Sequence, residues 1–175
     1  MNKRYRTLAI GLVFALVANT LLASSLVGIA APEFMLKDQH AQIKTLQDFK
    51  DKWLVLYFYP KDNTPGCTTE AKNFKRDYDK FKALNAEIVG VSLDDVQSHK
   101  EFVEVTGINF PILADTEEKA AKAYNVLGGM GPIKYTKRQT FIINPEGYVV
   151  KHYESVNAEQ HSEQLLKDLP EIMAK

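Results

Sequence analysis

At 175 residues, with 45% hydrophobic and 25% charged side chains, the chain has enough apolar material for one packed domain and too much to stay disordered. Its formal net charge is zero, but residues 1–32 carry Lys3, Arg4 and Arg6 and no acid, which leaves 19 bases against 22 acids in the rest. That slightly acidic body, with no basic stripe, argues against nucleic acid as a partner.

Residues 1–31 have the form of an export signal. Lys3, Arg4 and Arg6 make a positive start, Leu8 to Val17 an apolar stretch, and Gly28-Ile29-Ala30 a small-residue cleavage site before Ala31. Ala23-Ser24-Ser25 is a second cleavage candidate. The alternative is a retained anchor, because residues 8–31 exceed the roughly 20 needed to span a bilayer. Either way the positive flank stays in the cytoplasm and the body is delivered outside it. The expected division is a signal or anchor over 1–31 and one domain over 32–175. The expected location is the periplasm, or the outer face of the inner membrane through a tether at 8–31.

In the body, Phe34-Met35-Leu36 and Ala41-Gln42-Ile43 read as short strands around a turn, and Leu46 to Phe49 as a helical turn. Trp53 to Tyr59 is apolar throughout, as a central strand covered on both faces requires. Thr68 to about Leu84 has helical period, with Ala71, Phe74, Tyr78 and Phe81 on one stripe. Glu87 to Ser92 is a second apolar run, so strand, helix and strand form a right-handed βαβ unit. Asp94 is the expected cap of a helix ending at Gly107. Phe110 to Ala114 reads as a strand, and Asp115-Thr116 as the cap of a helix through Tyr124. Gly128 to Pro132 reads as a loop; its glycine spacing and position do not suit phosphate binding. Arg138 to Ile143, the turn Asn144-Pro145-Glu146-Gly147 and Tyr148 to Tyr153 read as a hairpin. Asn157 is the expected start of the last helix, whose stripe includes Leu165, Leu166 and Leu169.

Cys67 is the only cysteine. An internal disulfide and a multi-thiolate metal site are therefore excluded. The four histidines, His40, His99, His152 and His161, are scattered and read as surface or satisfied residues, so no metal or cofactor is expected. Cys67 falls where the central strand has ended, a Pro/Gly loop has turned and a helix begins. The helix macrodipole and its unpaired N–H groups favour the thiolate there, and the thiolate is the nucleophile. A buried inert thiol is the alternative. There is no C-x-x-C pair for dithiol exchange. Thr64, across Pro65-Gly66, can turn its hydroxyl toward the sulfur.

Pro60-x-x-x-Thr64-x-x-Cys67 resembles the active-site signature of the peroxiredoxins. The stretch Tyr59-Pro60-Lys61-Asp62-Asn63-Thr64-Pro65-Gly66-Cys67-Thr68-Thr69-Glu70 is similar to their Q-type subgroup, the bacterioferritin comigratory proteins. The segment Arg138 to Gly147 resembles the Arg-bearing strand of that family. The resemblance covers about residues 32–173. It implies an α/β, thioredoxin-like fold with a central mixed β-sheet flanked by helices, and thiol peroxidase activity on hydrogen peroxide and organic hydroperoxides. It also implies that Cys67 is the peroxidatic cysteine and that Arg138 lowers its pKa and binds peroxide oxygen. Thr64 would hydrogen-bond the peroxide, Pro60 would shape and dry the pocket, and Glu70 would orient Arg138. Many Q-type members carry a resolving cysteine five residues after the first; here that residue is Lys72. A 1-Cys scheme follows, with the sulfenic acid of Cys67 recycled by an external thiol: glutathione, glutaredoxin or a thioredoxin-like protein. The chain is expected to be a monomer. The alternative is a non-catalytic thioredoxin-fold sensor or binding module.

Overall fold

The computed structural model describes residues 25–175. The proposed leader therefore lies largely outside the described residues.

A seven-stranded mixed sheet forms the centre, in the order β2-β1-β5-β4-β3-β8-β9. Its strands are β1 (Met35–Asp38), β2 (Ile43–Thr45), β3 (Trp53–Phe58), β4 (Ala86–Ser92), β5 (Ile112–Ala114), β8 (Gln139–Ile143) and β9 (Val149–Tyr153). β3, β4 and β5 run parallel to one another, while β8 lies antiparallel against the free side of β3. The helices are α1 (Pro65–Ala83), α2 (Val96–Thr106), α3 (Lys119–Ala123) and α4 (His161–Met173). This is the mixed sheet flanked by helices that the resemblance to the peroxiredoxins implies.

The side chains of β3 alternate between two cores. Leu54, Leu56 and Phe58 join Val89, Val91, Leu113, Phe141 and Ile143 on one face, over α3 and the 3₁₀ turn Leu46–Phe49. Val55, Tyr57 and Tyr59 join Ile88, Ile112 and Ile142 on the other, under α1, α2 and α4. A strand buried on both faces must be apolar at every position, which explains the unbroken run of the sequence. Phe74 and Phe81 of α1 are fully buried in the second core, and each such ring contributes about 3–5 kcal/mol relative to alanine. Gly90 of β4 lies opposite Tyr57. A β-carbon there would come within 2.8 Å of the Tyr57 ring, so close packing of the phenol requires glycine.

Several boundaries differ from expectation; α3, expected to be capped by Asp115-Thr116, starts only at Lys119 after Glu118, and the Asp115 carboxylate accepts the N–H groups of Ala120 and Ala121 from before it. α1 starts at Pro65 rather than Thr68, because proline needs no N–H acceptor in the first turn. The α2 cap is Asp95, whose side chain accepts the Ser98 N–H; Asp94 instead accepts from the Asp62 backbone and the Ser92 hydroxyl. The last helix starts at His161, preceded by a turn at Asn157 to Gln160. Gly128 to Pro132 is no open loop but part of an antiparallel hairpin, β6 (Leu127–Met130) with β7 (Ile133–Thr136). Its glycines hide the strand pattern: a β-carbon on Gly129 would lie 2.2 Å from the Ile133 carbonyl oxygen.

Residues near the proposed leader boundary are bonded to the body. Gly28 donates to the Val149 carbonyl and Ala31 to the Gly147 carbonyl, both at 2.8 Å, and Val149 donates back to Ile29 at 3.0 Å. Leu26 and Ala31 are buried in the first core. No helix among the described residues is long and apolar enough to cross a membrane.

Candidate active site

Cys67 is the third residue of α1, at the end of the loop that leaves β3, and only 2% of it is exposed. Pro65 at the first helical position fixes the entry of the chain. The first-turn N–H groups, without partners inside the helix, gather around the sulfur end of α1. Thr64 is the residue before the helix, and its carbonyl accepts the Thr68 N–H at 2.9 Å.

Arg138 arrives from the other side of β3. It immediately precedes β8, and the antiparallel pairing of Phe58 with Gln139 puts it beside the end of the β3 strand. Its Nη2 donates to Cys67 Sγ at 3.1 Å. Its Nη1 donates to Glu70 Oε2. Glu70, one turn after Cys67, is buried, and its second oxygen, Oε1, lies 2.8 Å from His161 Nδ1. The result is a chain of four groups from Cys67 through Arg138 and Glu70 to His161. Burial works against the Arg138 charge, but Glu70 and then Cys67 outweigh it and raise the guanidinium above its ordinary value. Arg138 therefore remains a cation in contact with the sulfur. Burial, and then Glu70 and Cys67, push the Tyr57 phenol beneath the site well above its usual range, so it stays neutral.

The loop before Cys67 is pinned by a second set of contacts. Asp62 is buried; its Oδ1 accepts the Tyr59 hydroxyl at 2.7 Å. Its Oδ2 accepts the Ser98 hydroxyl and lies against His99 Nδ1, both at 2.8 Å. The Thr136 hydroxyl, at the end of β7, donates to the Tyr59 carbonyl at 2.5 Å. Pro60, half-buried, separates β3 from this knot.

Of the residues singled out from the sequence, Cys67, Arg138 and Glu70 meet directly. Pro60 and Thr64 lie in the same loop. The Thr64 hydroxyl donates to the Lys61 carbonyl at 2.9 Å, closing the loop on itself. Lys72 is exposed on α1. His161, Asp62 and His99 do not stand out as site residues in the sequence. A signal exists for His161, since it shares the stripe of Leu165 and Leu169, four and eight residues on. Among the described residues no group of three or more His, Cys, Asp or Glu side chains is placed to hold a metal. A concavity of about 260 Å³, lined by Ala31, Leu46, Lys50 and Glu146 among others, lies over the first core and offers the sulfur nothing.

Such a site can do one thing well. A sulfur anion beside a fixed guanidinium can attack an electron-poor atom while the same cation stabilises the charge on the departing group. The chain is similar to known proteins. Residues 27–152 match the model of the AhpC/TSA family. The chain is 39% identical over 153 residues to the peroxiredoxin Bcp of Bacillus subtilis, covering 85% of this chain and 98% of that one. A crystal structure of a cysteine-to-serine mutant of Xylella fastidiosa PrxQ superposes with a TM-score of 0.76 at 36% identity, covering 81% and 90% of the two chains. The Xanthomonas campestris bacterioferritin comigratory protein, whose structures concern its alkyl peroxide reduction activity, gives 0.75 at 35% identity, covering 81% and 92%.

Proposed function

This chain belongs to the AhpC/TSA family, as a peroxiredoxin of the Bcp/Q kind and hence a thiol peroxidase, and from that membership we propose that Cys67 is its peroxidatic thiol, working by a 1-Cys cycle. The observation that carries the proposal is Arg138 Nη2 at 3.1 Å from the sulfur of the only cysteine in the chain.

The Cys67 thiolate attacks the terminal peroxide oxygen. An S–O bond forms, the O–O bond breaks, and the departing oxygen takes up a proton as alcohol or water. Arg138 stabilises the negative charge on that oxygen. Glu70 orients Arg138. The hydrogen of Thr64 is committed to the Lys61 carbonyl, so its hydroxyl serves the peroxide as an acceptor rather than a donor. Pro60 closes the pocket wall. The sulfenic acid of Cys67 has no second cysteine to react with. An external thiol displaces water from it to give a mixed disulfide, and a second thiol releases Cys67 and leaves as the disulfide of the reductant. The substrates are hydrogen peroxide and small organic hydroperoxides; the reductant is glutathione, glutaredoxin or a thioredoxin-like protein.

We further propose export, with the body in the periplasm or at the outer face of the inner membrane, acting as a monomer. The bonds of Gly28 to Ala31 with β9 and its turn support processing at Ala23-Ser24-Ser25 over cleavage after Ala30.

The test is peroxide consumption with a panel of thiols, together with mass spectrometry of the oxidised protein. One peroxide equivalent should remove one thiol, turnover should require added reductant, and a Cys67 mixed disulfide should accumulate when reductant is limiting. Cys67→Ser should abolish all three. Undiminished turnover in Cys67→Ser would overturn the assignment.

A further inference from the structure

Glu70 has two oxygens and two partners. Arg138 takes one and His161 the other. Both Glu70 and His161 are essentially inaccessible to solvent, so water cannot stand in for either. A carboxylate free to rotate can meet an arginine in several geometries, the two-pronged pairing among them. Here His161 holds Oε1, which fixes the plane of the carboxylate and the direction in which Oε2 meets Arg138 Nη1. Arg138 is left holding Glu70 through Nη1 alone, and its Nη2 is turned to the sulfur at 3.1 Å.

We propose that His161 is a positioning residue of the peroxidase site: by fixing the Glu70 carboxylate through Oε1 it sets where Oε2 holds Arg138 Nη1, and so keeps Nη2 on Cys67. The inference rests on Cys67 being the reacting thiol, as proposed above. His161 is suited to the task because it is itself immobile. It is the first residue of α4, its ring packs against Phe74 at a centroid distance of 5.0 Å, and its neighbour Ser162 donates to Asp77 at 2.8 Å. Glu70 and Asp77 lie two turns apart on α1, so the start of α4 grips α1 at two points. Only the first leads to the sulfur. The charged groups around the imidazole are Glu70, which it touches, and Arg138 beyond it; Asp77 is taken up by Ser162, Arg76 and Lys80.

The experiment is the pH dependence of Cys67 alkylation, which needs no peroxide, alongside the rate of peroxide consumption. His161→Phe keeps a ring against Phe74 and removes the donor to Glu70. Its alkylation profile should move to higher pH and its peroxide rate should fall on the order of tenfold or more, as loss of a charge-assisted hydrogen bond predicts. His161→Asn, with an amide N–H near the place of Nδ1, should recover most of both. In a Glu70→Gln background His161→Phe should add little, because the two act as one unit. Ser162→Ala, which loosens the same helix end at Asp77, should lower the melting temperature and leave the alkylation profile in place. An alkylation profile of His161→Phe that superimposes on that of the wild type overturns the inference. If His161→Phe does not fold, His161→Leu takes its place in the same measurement, and a wild-type profile there overturns the inference equally. A wild-type protein that alkylates normally yet consumes no peroxide would instead overturn the peroxidase assignment.

Discussion

Two buried histidine–carboxylate pairs flank the segment from Tyr59 to Glu70, and they are built alike. His99 Nδ1 meets Asp62 and His161 Nδ1 meets Glu70, each at 2.8 Å. Both imidazoles are fully buried, and in both Nε2 lacks a hydrogen-bond partner among the described residues. They differ in what the carboxylate does with its remaining capacity. Asp62 spends it on neutral hydroxyls, those of Tyr59 and Ser98. Glu70 spends it on the Arg138 guanidinium, and through it reaches the sulfur. The first pair fixes where the loop lies; the second fixes where a charge lies. A histidine and a carboxylate thus hold a loop in one place and a guanidinium against the sulfur in the other, and the third partner decides which.

The comparison can be broken most sharply at the cation. Arg138→Ala should lower the peroxide rate by on the order of 10²-fold or more, the cost of losing a fixed donor to a developing anion. It should also shift Cys67 alkylation to higher pH. An unchanged rate would remove Arg138 from the site and with it the distinction between the pairs. At the anchoring pair, His99→Leu leaves a buried carboxylate short of one partner and should cost about 3 kcal/mol of stability in denaturant melts. The peroxide rate of the folded fraction should fall less than it does in His161→Phe. A larger fall would show that the two pairs are not divided as described. The smallest effect is expected at the outer grip of α4. The Arg76 hydrogen bond holds the Asp77 carboxyl well below its ordinary value, and Lys80 and Ser162 add to this against the opposing effect of burial. A carboxyl lowered on folding stabilises the native state above its unfolded value, about 4, and loses that contribution as pH falls below it. Asp77→Asn should therefore flatten the acid side of the stability curve, read as melting temperature against pH, with little change at the sulfur.

Most of the architecture is legible in the chain because it follows from patterns of short range. The β3 run, the stripe of α1, the Gly107 stop and the turn at Asn144 to Gly147 each state their element locally. The hairpin β6–β7 is not legible, because glycine carries no side chain with which to mark a face. Within the site, the Pro60, Thr64 and Cys67 spacing and the distant Arg138 are readable through resemblance to a family. His161 is readable only as a buried position, and its partner not at all. Glu70 lies 91 residues earlier, and nothing along the chain says which carboxylate will meet it. The Thr64 hydroxyl shows the converse: its place in the motif is plain, but its bond to Lys61 depends on the closure of one loop.

The insertion of β8 against β3 has a consequence for the order in which the molecule is made. Cys67 and Arg138 are 71 residues apart in the chain, and they meet only when a strand completed late pairs with one completed early. Contacts of such separation form slowly, because the intervening loop must close before any bond rewards it. β3, α1 and β4 come from one continuous stretch of chain, whereas the guanidinium beside the sulfur comes from outside it. The contact of Cys67 with Arg138 thus arrives with the pairing of β8. A chain in which β8 has not yet paired carries the thiol without its cation.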